Sequence, residues 1–144
     1  MLADAAQASE GKLFILGGGW TVTGPAPIPS AIAIQVLVPW DMANQRHDMR
    51  LELLDTDGQP VTVDTPVGEQ PLVIENQFEV GRPPGHRPGT PIDMTMAINL
   101  GPIPLAPGNR YEWRLSIGEE TREEWTLPFS TRPGPVPEPP ADEA

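Results

Sequence analysis

The sequence predicts an all-β protein made of two packed antiparallel sheets. Several short segments alternate apolar and polar residues with a period of two, the pattern of a strand with one buried and one wet face. Turn signals containing Gly and Pro separate these segments, and almost no segment has a helical pattern. Short strands joined by frequent turns are typical of a β-sandwich. The clearest strand spans residues 91–100, with an apolar face of Ile92, Met94, Met96, Ile98 and Leu100.

The first strand, residues 12–16, runs into the glycines Gly17 to Gly19. A second β-rich piece, residues 20–23, follows them. Glycines between two strand pieces predict a bulge or a sharp corner at which the chain changes sheets. A phosphate-binding loop is excluded, because neither a helix nor a Lys-Ser/Thr pair follows the glycines. Trp20 is expected in the core or at this corner.

The next strand, residues 31–38, has two largely apolar faces and is therefore predicted to be a central strand. Pro39 and Trp40 end it. Asp41 then has a suitable side chain to N-cap a short helical turn over residues 41–46. No other segment of the sequence has a helical pattern.

Three more strand segments and a long loop follow. Met49, Leu51 and Leu53 form one apolar face, and the Asp57-Gly58 pair predicts a tight hairpin turn from which residues 61–63 return. Residues 72–80 form another strand, in which the polar Asn76 falls on the apolar face, so we expect a bulged or irregular strand there. Residues 81–89 are rich in proline and glycine, which predicts a stiff loop.

The last two strands are joined by a turn at residues 118–119. Their inner rows place Trp113 and Trp125 in the predicted core. The full rows are Tyr111, Trp113, Leu115 and Ile117, followed by Trp125, Leu127 and Phe129.

Residues 107–111 read Pro-Gly-Asn-Arg-Tyr. A Pro-Gly turn before an inward-facing Tyr resembles the tyrosine-corner region of immunoglobulin-like sandwiches. We therefore expect an antiparallel immunoglobulin-like β-sandwich of about seven to nine strands, without the Cys pair of antibody domains. A small closed β-barrel is the alternative. The domain is expected over residues 1–132, with a proline-rich, acidic, disordered or extended tail over residues 133–144.

The composition limits the classes of site and partner. The chain has 144 residues, no cysteine and a net charge of −11. A domain of this length buries roughly 70% of its unfolded surface, so it needs no metal or disulfide to fold. The absence of cysteine excludes thiolate chemistry. The acidic surface repels phosphate backbones and anionic lipids, so we expect neither nucleic acid nor membrane as a partner.

The sequence also bears on the location of the protein. The N-terminus has no basic region, and Asp4 interrupts the first apolar run, which argues against a secretory signal. The longest apolar stretch, residues 31–38, is too short to cross a bilayer. We therefore expect a cytoplasmic protein, with association with a virion as the alternative.

No constellation of residues points to catalysis. His47 and Asp48 are neighbours on a strand and would point to opposite faces, so they would not chelate a metal together. No nucleophile elbow surrounds any serine. The Glu pairs at 119–120 and 123–124 flank a turn and not an apolar cleft. We expect no enzyme activity, no catalytic residue, no metal, no cofactor and no small-molecule ligand.

Two loops are the best candidates for a binding surface. Residues 39–47 and 81–91 contain a tryptophan, both histidines and three arginines of an otherwise acidic chain. Loops on a rigid sandwich commonly carry binding residues, and Trp and Arg are enriched at interface centres. The alternative role of Trp40 is to cover one end of the sandwich. The candidate partner-binding residues are Trp40, Arg46, His47, Arg82, His86 and Arg87.

Several strings of the sequence also carry a family resemblance. They are residues 3–7, residues 11–20, Val-Pro-Trp-Asp at 38–41, residues 50–58, and Phe-Glu-Val-Gly-Arg-Pro-Pro at 78–84. Together they resemble an uncharacterised bacterial family, common in actinobacteria, that is classed as a domain of unknown function. The resemblance implies a β-sandwich of bacterial or phage origin. It brings no activity and no catalytic residue.

These observations predict a non-enzymatic interaction or scaffold module that binds a protein partner or self-associates. One alternative is a structural or accessory subunit of a larger assembly, such as a phage-like particle. A third hypothesis is a carbohydrate-binding or hydrolytic protein that uses Trp40 and carboxylates.

Overall fold

The computed structural model describes residues 1–135, and its regular structure is almost entirely β, as predicted. A 3₁₀ turn, Trp40–Met42, interrupts the strands. In residues 1–135 no helix is long and apolar enough to cross a membrane. Of the predicted tail, residues 136–144 lie outside the described residues. The strands are β1 (Leu2–Ala3), β2 (Ala5–Ser9), β3 (Lys12–Leu16), β4 (Val22–Thr23), β5 (Ser30–Val38), β6 (Arg46–Asp55), β7 (Thr62–Thr65), β8 (Gly68–Pro71), β9 (Val73–Glu79), β10 (Ile92–Leu100), β11 (Arg110–Ile117) and β12 (Glu120–Thr131).

Two sheets contain most of the strands. One has three strands in the order β1-β5-β10, so β5 is central, as its two apolar faces predicted. The other has five strands in the order β4-β12-β11-β6-β9. The ladders of both sheets are antiparallel except for the short parallel pairing of β4 with β12. The hairpins β2–β3 and β7–β8 form separate two-stranded sheets.

The inner faces of the two main sheets share one hydrophobic core. Ile32 and Ile34 of β5 pack in the same cluster as Leu51 and Leu53 of β6 and Trp113 of β11. Only 2% of Trp113 is exposed. The sequence pattern therefore predicted correctly which face these strands bury, because a period of two fixes side-chain direction along a strand.

Trp125 departs from this pattern, and the prediction that it lies in the core is wrong. It is only partly buried and is not part of the core cluster. The cause is the register between β11 and β12, in which Arg114 lies opposite Thr126 but Ser116 lies opposite Thr121. Residues 122–125 of β12 therefore bulge out of the ladder, and the alternation of faces is lost there.

The helical turn is shorter than predicted and begins earlier. It covers Trp40–Met42, and β6 already begins at Arg46. Pro39 occupies the N-cap position instead of Asp41, and no side chain caps the turn. Proline has a fixed φ and no N–H to donate, so it ends β5 and caps the turn two residues before the predicted cap.

The predicted bulge at Asn76 is absent. β9 pairs with β6 in an unbroken register from Glu79 to Val73. The Asn76 amide nitrogen donates to the Met96 sulfur at 3.7 Å, and its Oδ1 accepts the Gln77 N–H at 2.9 Å. Since β9 is at the edge of its sheet, a polar side chain is accommodated there without a change in the ladder.

The turn at Asp57 and Gly58 forms as predicted, with φ of 75° at Gly58 and its N–H donated to the Asp55 carbonyl at 3.0 Å. The returning segment leaves β6 after one bridge, between Leu54 and Pro60, and forms β7. β7 then pairs with β8. The sequence pattern does not predict β8, because all of its residues are exposed and do not alternate.

The glycine corner carries the chain between sheets, as predicted, since β3 belongs to the first hairpin and β4 to the five-stranded sheet. Gly17 and Gly19 have φ of 58° and 86°, a conformation that favours glycine. Trp20 follows the corner and packs against the core, edge-on to Phe129 with ring centroids 5.9 Å apart.

The end of the molecule where β11 begins is closed by hydrogen bonds. We call residues 102–111 and the last residues of β12 the closed end. The Ala106 N–H donates to the Tyr111 hydroxyl oxygen at 2.9 Å. The Thr131 hydroxyl donates to the Ala106 carbonyl at 2.7 Å and accepts the Asn109 N–H at 3.1 Å. Tyr111 and Thr131 are both buried, so these bonds satisfy polar groups away from water.

Candidate functional site

The two candidate loops meet at the opposite end of the molecule. β5 ends and β6 begins at this end, and β9 ends and β10 begins there as well. This follows from the antiparallel pairing of β5 with β10 and of β6 with β9. The Asn44 N–H donates to the Val80 carbonyl at 2.7 Å and joins the loops directly. We call residues 39–47 and 80–91 the loop end.

Trp40 is at the centre of the loop end. It lies in the 3₁₀ turn and packs against a buried cluster that includes Val38, Ala43 and Ile92. The guanidinium carbon of Arg82 is 4.4 Å from the Trp40 ring centroid. Arg82 Nη2 also donates to the Trp40 carbonyl at 2.9 Å. Trp40 therefore covers part of the core and at the same time holds an arginine in a defined position.

His86 lies on the same tryptophan. Its ring is nearly parallel to that of Trp40, with an interplanar angle of 5° and centroids 6.2 Å apart. Its Nε2 lies 3.2 Å from the Pro91 carbonyl oxygen. Because a carbonyl oxygen only accepts, Nε2 carries the proton in this contact. The imidazole is thus fixed between the tryptophan and the end of its own loop.

The other three candidate residues lie around this centre. His47 is half-buried: its Nε2 donates to the Met42 carbonyl at 3.0 Å, and its ring lies 5.3 Å from that of Phe78. Arg46 is exposed at the start of β6, opposite Glu79. Arg87 is exposed in the second loop. The structure thus brings Trp40, Arg82 and His86 into contact, while His47 packs inward.

The loop end carries arginines without acidic partners. Within residues 1–135, Arg46, Arg82 and Arg87 form no salt bridge. Three arginines further along strands β6, β11 and β12 differ, since Arg50, Arg114 and Arg122 each have a carboxylate within 4.0 Å. The guanidinium charges of the loop end are therefore available to a binding partner.

An open groove of about 380 Å³ runs beside Trp40. The candidate residues chosen from the sequence do not include Leu37, of which 63% is exposed, although it lines the groove. Its place on the second apolar face of the predicted strand 31–38, one residue before the strand ends, is the signal that could have identified it. The groove is lined by Leu37, Pro39, Trp40, Asp41, Gly89 and Pro91.

The loop end has the chemistry of recognition. Among the described residues, no three His, Asp or Glu side chains converge as metal ligands. The site combines the partly buried ring of Trp40, the guanidinium of Arg82 held against that ring, and the imidazole of His86 hydrogen-bonded to the Pro91 carbonyl. Such groups provide apolar contact area and charge-assisted hydrogen bonds to a partner.

Comparison with known proteins gives one match. A family of unknown function, DUF6941, matches residues 1–130. No curated protein and no solved structure matches the chain.

Proposed function

The chain belongs to DUF6941, a family of unknown function, and we propose that it is a non-enzymatic β-sandwich module that binds a protein partner through its loop end. The observation that carries this proposal is the double contact of Arg82 with the ring and the carbonyl of Trp40. An arginine fixed in this way loses little rotamer freedom on binding, which favours affinity.

The proposal includes an immunoglobulin-like fold, and the strand order supports it. A three-stranded sheet faces a five-stranded sheet, and the N-terminal region contributes β1 to one and β4 to the other. The hydrogen bond to the Tyr111 hydroxyl has the form of a tyrosine corner. Among the described strands, β9 and β10 share no ladder, which favours a sandwich over a closed barrel. In variable domains of this architecture, loops at one end bind the partner.

The charges of the loop end favour an acidic surface on the partner. Arg46, Arg82 and Arg87 are exposed and unpaired within the described residues. Oppositely charged partners are steered toward such a patch, and like-charged ones are repelled. The net charge of −11 disfavours contact through most other parts of the surface with an acidic partner. The charge pattern therefore supports both the site and the orientation of binding.

The biological setting is part of the same proposal. We place the protein in the bacterial cytoplasm. The family resemblance of the sequence strings supports a bacterial origin, and a cysteine-free chain is compatible with a reducing compartment.

Charge reversal at one end of the molecule tests the proposal. Proteins retained by the wild type from a cell extract are quantified alongside those retained by the variant Arg82→Glu/Arg87→Glu. Arg110→Glu is the matched control, because Arg110 is exposed at the opposite end and also unpaired within the described residues. We expect a specific partner to be lost with the double variant and kept with the control. Equal retention by all three proteins would reject the loop end as the site.

A second candidate function is that of a structural or accessory subunit in a larger assembly. The observation that favours it is the exposed outer face of the β2–β3 hairpin, where 56% of Phe14 and 71% of Leu16 are accessible. Light scattering at micromolar concentration distinguishes the two functions. Oligomers that the variant Phe14→Ser/Leu16→Ser abolishes would support the assembly function, and a monomer would support the partner-binding module.

A further inference from the structure

We propose that a second binding surface lies along the free edge of β5, and that it takes up an extended peptide segment of a partner protein as an additional strand. This surface is separate from the loop end. It consists of the β5 edge from Ala33 to Leu37 and the bulge of β12 at residues 122–125, and we call it the edge cleft.

The backbone of β5 is unpaired at this edge. Ala33 exchanges hydrogen bonds with Met1, whose amino group donates to the Ala33 carbonyl at 2.8 Å and whose carbonyl accepts the Ala33 N–H at 2.9 Å. In an antiparallel ladder every second residue points its N–H and C=O the same way. Those of Gln35 and Leu37 therefore point to this edge, where no described strand pairs with them. Unpaired strand groups bind an added strand.

An apolar cleft opens beside this edge, between β5 and β12. Its volume is about 170 Å³. The cleft is narrow but continuous with the core, so an apolar side chain entering it would contact core residues directly. Its apolar lining includes Ile34, Leu51, Leu115, Trp125 and Leu127.

The bulge of β12 places Trp125 at the mouth of this cleft. Trp125 lies in the bulge at the register shift between Arg114 and Ser116, is partly buried, and lines the cleft. The Arg122 guanidinium carbon lies 5.1 Å from the centroid of the Trp125 ring. A bulge commonly redirects a side chain next to a functional site. Trp125, which was predicted in the core, is therefore the aromatic residue that lines the edge cleft.

The rim of the cleft is acidic. Glu120 binds Arg122 at 2.8 Å, which neutralises that arginine. Glu123 and Glu124 are exposed and form no salt bridge within the described residues. The complementary segment therefore has Lys or Arg beside its apolar residues. A second copy of this chain fits less well, because it has the same acidic rim and the same net charge of −11.

The occupant is thus an extended, basic segment with apolar residues at alternate positions. Side chains on one face would enter the cleft, and those on the other would cover Leu37, of which 63% is exposed. The added strand would continue the direction of β1 along β5.

Synthetic peptides test this inference on the full chain labelled with ¹⁵N. The probe alternates Val and Thr between terminal arginines. We expect resonance shifts at the Gln35 and Leu37 amides and at the Trp125 indole. The matched controls are two copies of the peptide in which every second backbone nitrogen is methylated. One copy carries the methyl groups on the odd residues and the other on the even residues, so each loses the N–H donors of one edge of the strand. Only the copy methylated on the edge that pairs with β5 should bind with lower affinity, by about tenfold for the loss of two backbone hydrogen bonds. Equal binding of both copies, or no binding, overturns the proposal.

Variants of the rim provide an independent measurement. Glu123→Lys/Glu124→Lys should shift the preference from the arginine-terminated peptide to a glutamate-terminated copy. Asp64→Lys/Glu69→Lys, on the exposed β7–β8 hairpin, makes the same charge change away from the cleft and should keep the original preference. An identical response of both variants contradicts a local acidic rim. A dimer in which the Gln35 and Leu37 amides are protected from hydrogen exchange without peptide would show that a second copy occupies the edge. That result would overturn the proposal of a partner peptide.

Discussion

The two ends of the molecule use their polar groups in opposite ways. At the closed end, Tyr111 and Thr131 are 8% and 5% exposed, and their hydroxyls bond to backbone groups of residues 106 and 109. At the loop end, Arg82 and Arg87 are exposed, and their charges have no acidic partner among the described residues. The closed end therefore stabilises the fold, whereas the loop end exposes charge and aromatic surface to solvent, where we propose that a partner binds.

If the loop end is the binding site that we propose, this difference separates polar residues that stabilise the fold from polar residues that bind. Removing one member of a buried hydrogen bond leaves the other unsatisfied, which destabilises the protein. Removing an exposed cation costs little stability but changes what the surface attracts. Stability and binding should therefore respond to different sets of substitutions.

The largest effect is expected from the tryptophans. Trp113→Ala leaves a cavity in the core beside the closed end and should lower the free energy of unfolding by about 3–5 kcal/mol. Trp40→Ala should lower it by only about 1–2 kcal/mol, because Trp40 is partly exposed. Urea denaturation followed by circular dichroism measures both. Equal losses would mean that the loop end is as much a part of the core as Trp113.

A smaller effect is expected at Thr131. The substitution Thr131→Val keeps the shape of the side chain but leaves the Asn109 N–H and the Ala106 carbonyl without this partner. The free energy of unfolding should fall by about 1–3 kcal/mol. Thr131→Ser retains the hydroxyl and serves as the control in the same denaturation experiment. If valine is tolerated as well as serine, hydrogen bonding does not hold this end closed.

The smallest effect on stability is expected at Arg82. The variant Arg82→Gln loses the contact over Trp40 and should change the free energy of unfolding by about 0.5–1 kcal/mol. The intrinsic tryptophan fluorescence of this variant should also change, because the Arg82 guanidinium lies 4.4 Å from the Trp40 ring centroid. Arg110→Gln is the control and should leave the spectrum unchanged. A loss as large as that of Thr131→Val would show that Arg82 is chiefly a structural residue.

The sequence pattern predicted the strands that have one buried face. β10 spans Ile92–Leu100, close to the predicted residues 91–100. Patterning failed where burial does not set the structure. The fully exposed β8 has no apolar face to recognise. Trp125 belongs to the bulge at residues 122–125, which has no partners in the ladder, so the alternation that holds for Leu127 and Phe129 does not extend to it. A count of two along the sequence cannot detect such an insertion.

For the candidate site, the sequence determined which residues the two loops contain. It also determined that these segments are loops, because proline restricts the backbone locally and glycine frees it. Only the tertiary structure decided which loop residues touch. Arg82 meets Trp40 across 42 positions of the chain, and that contact depends on the antiparallel pairing of β5 with β10 and of β6 with β9. Local patterns record the conformation of a segment, whereas distances between segments are set by how the sheets of the whole fold pack.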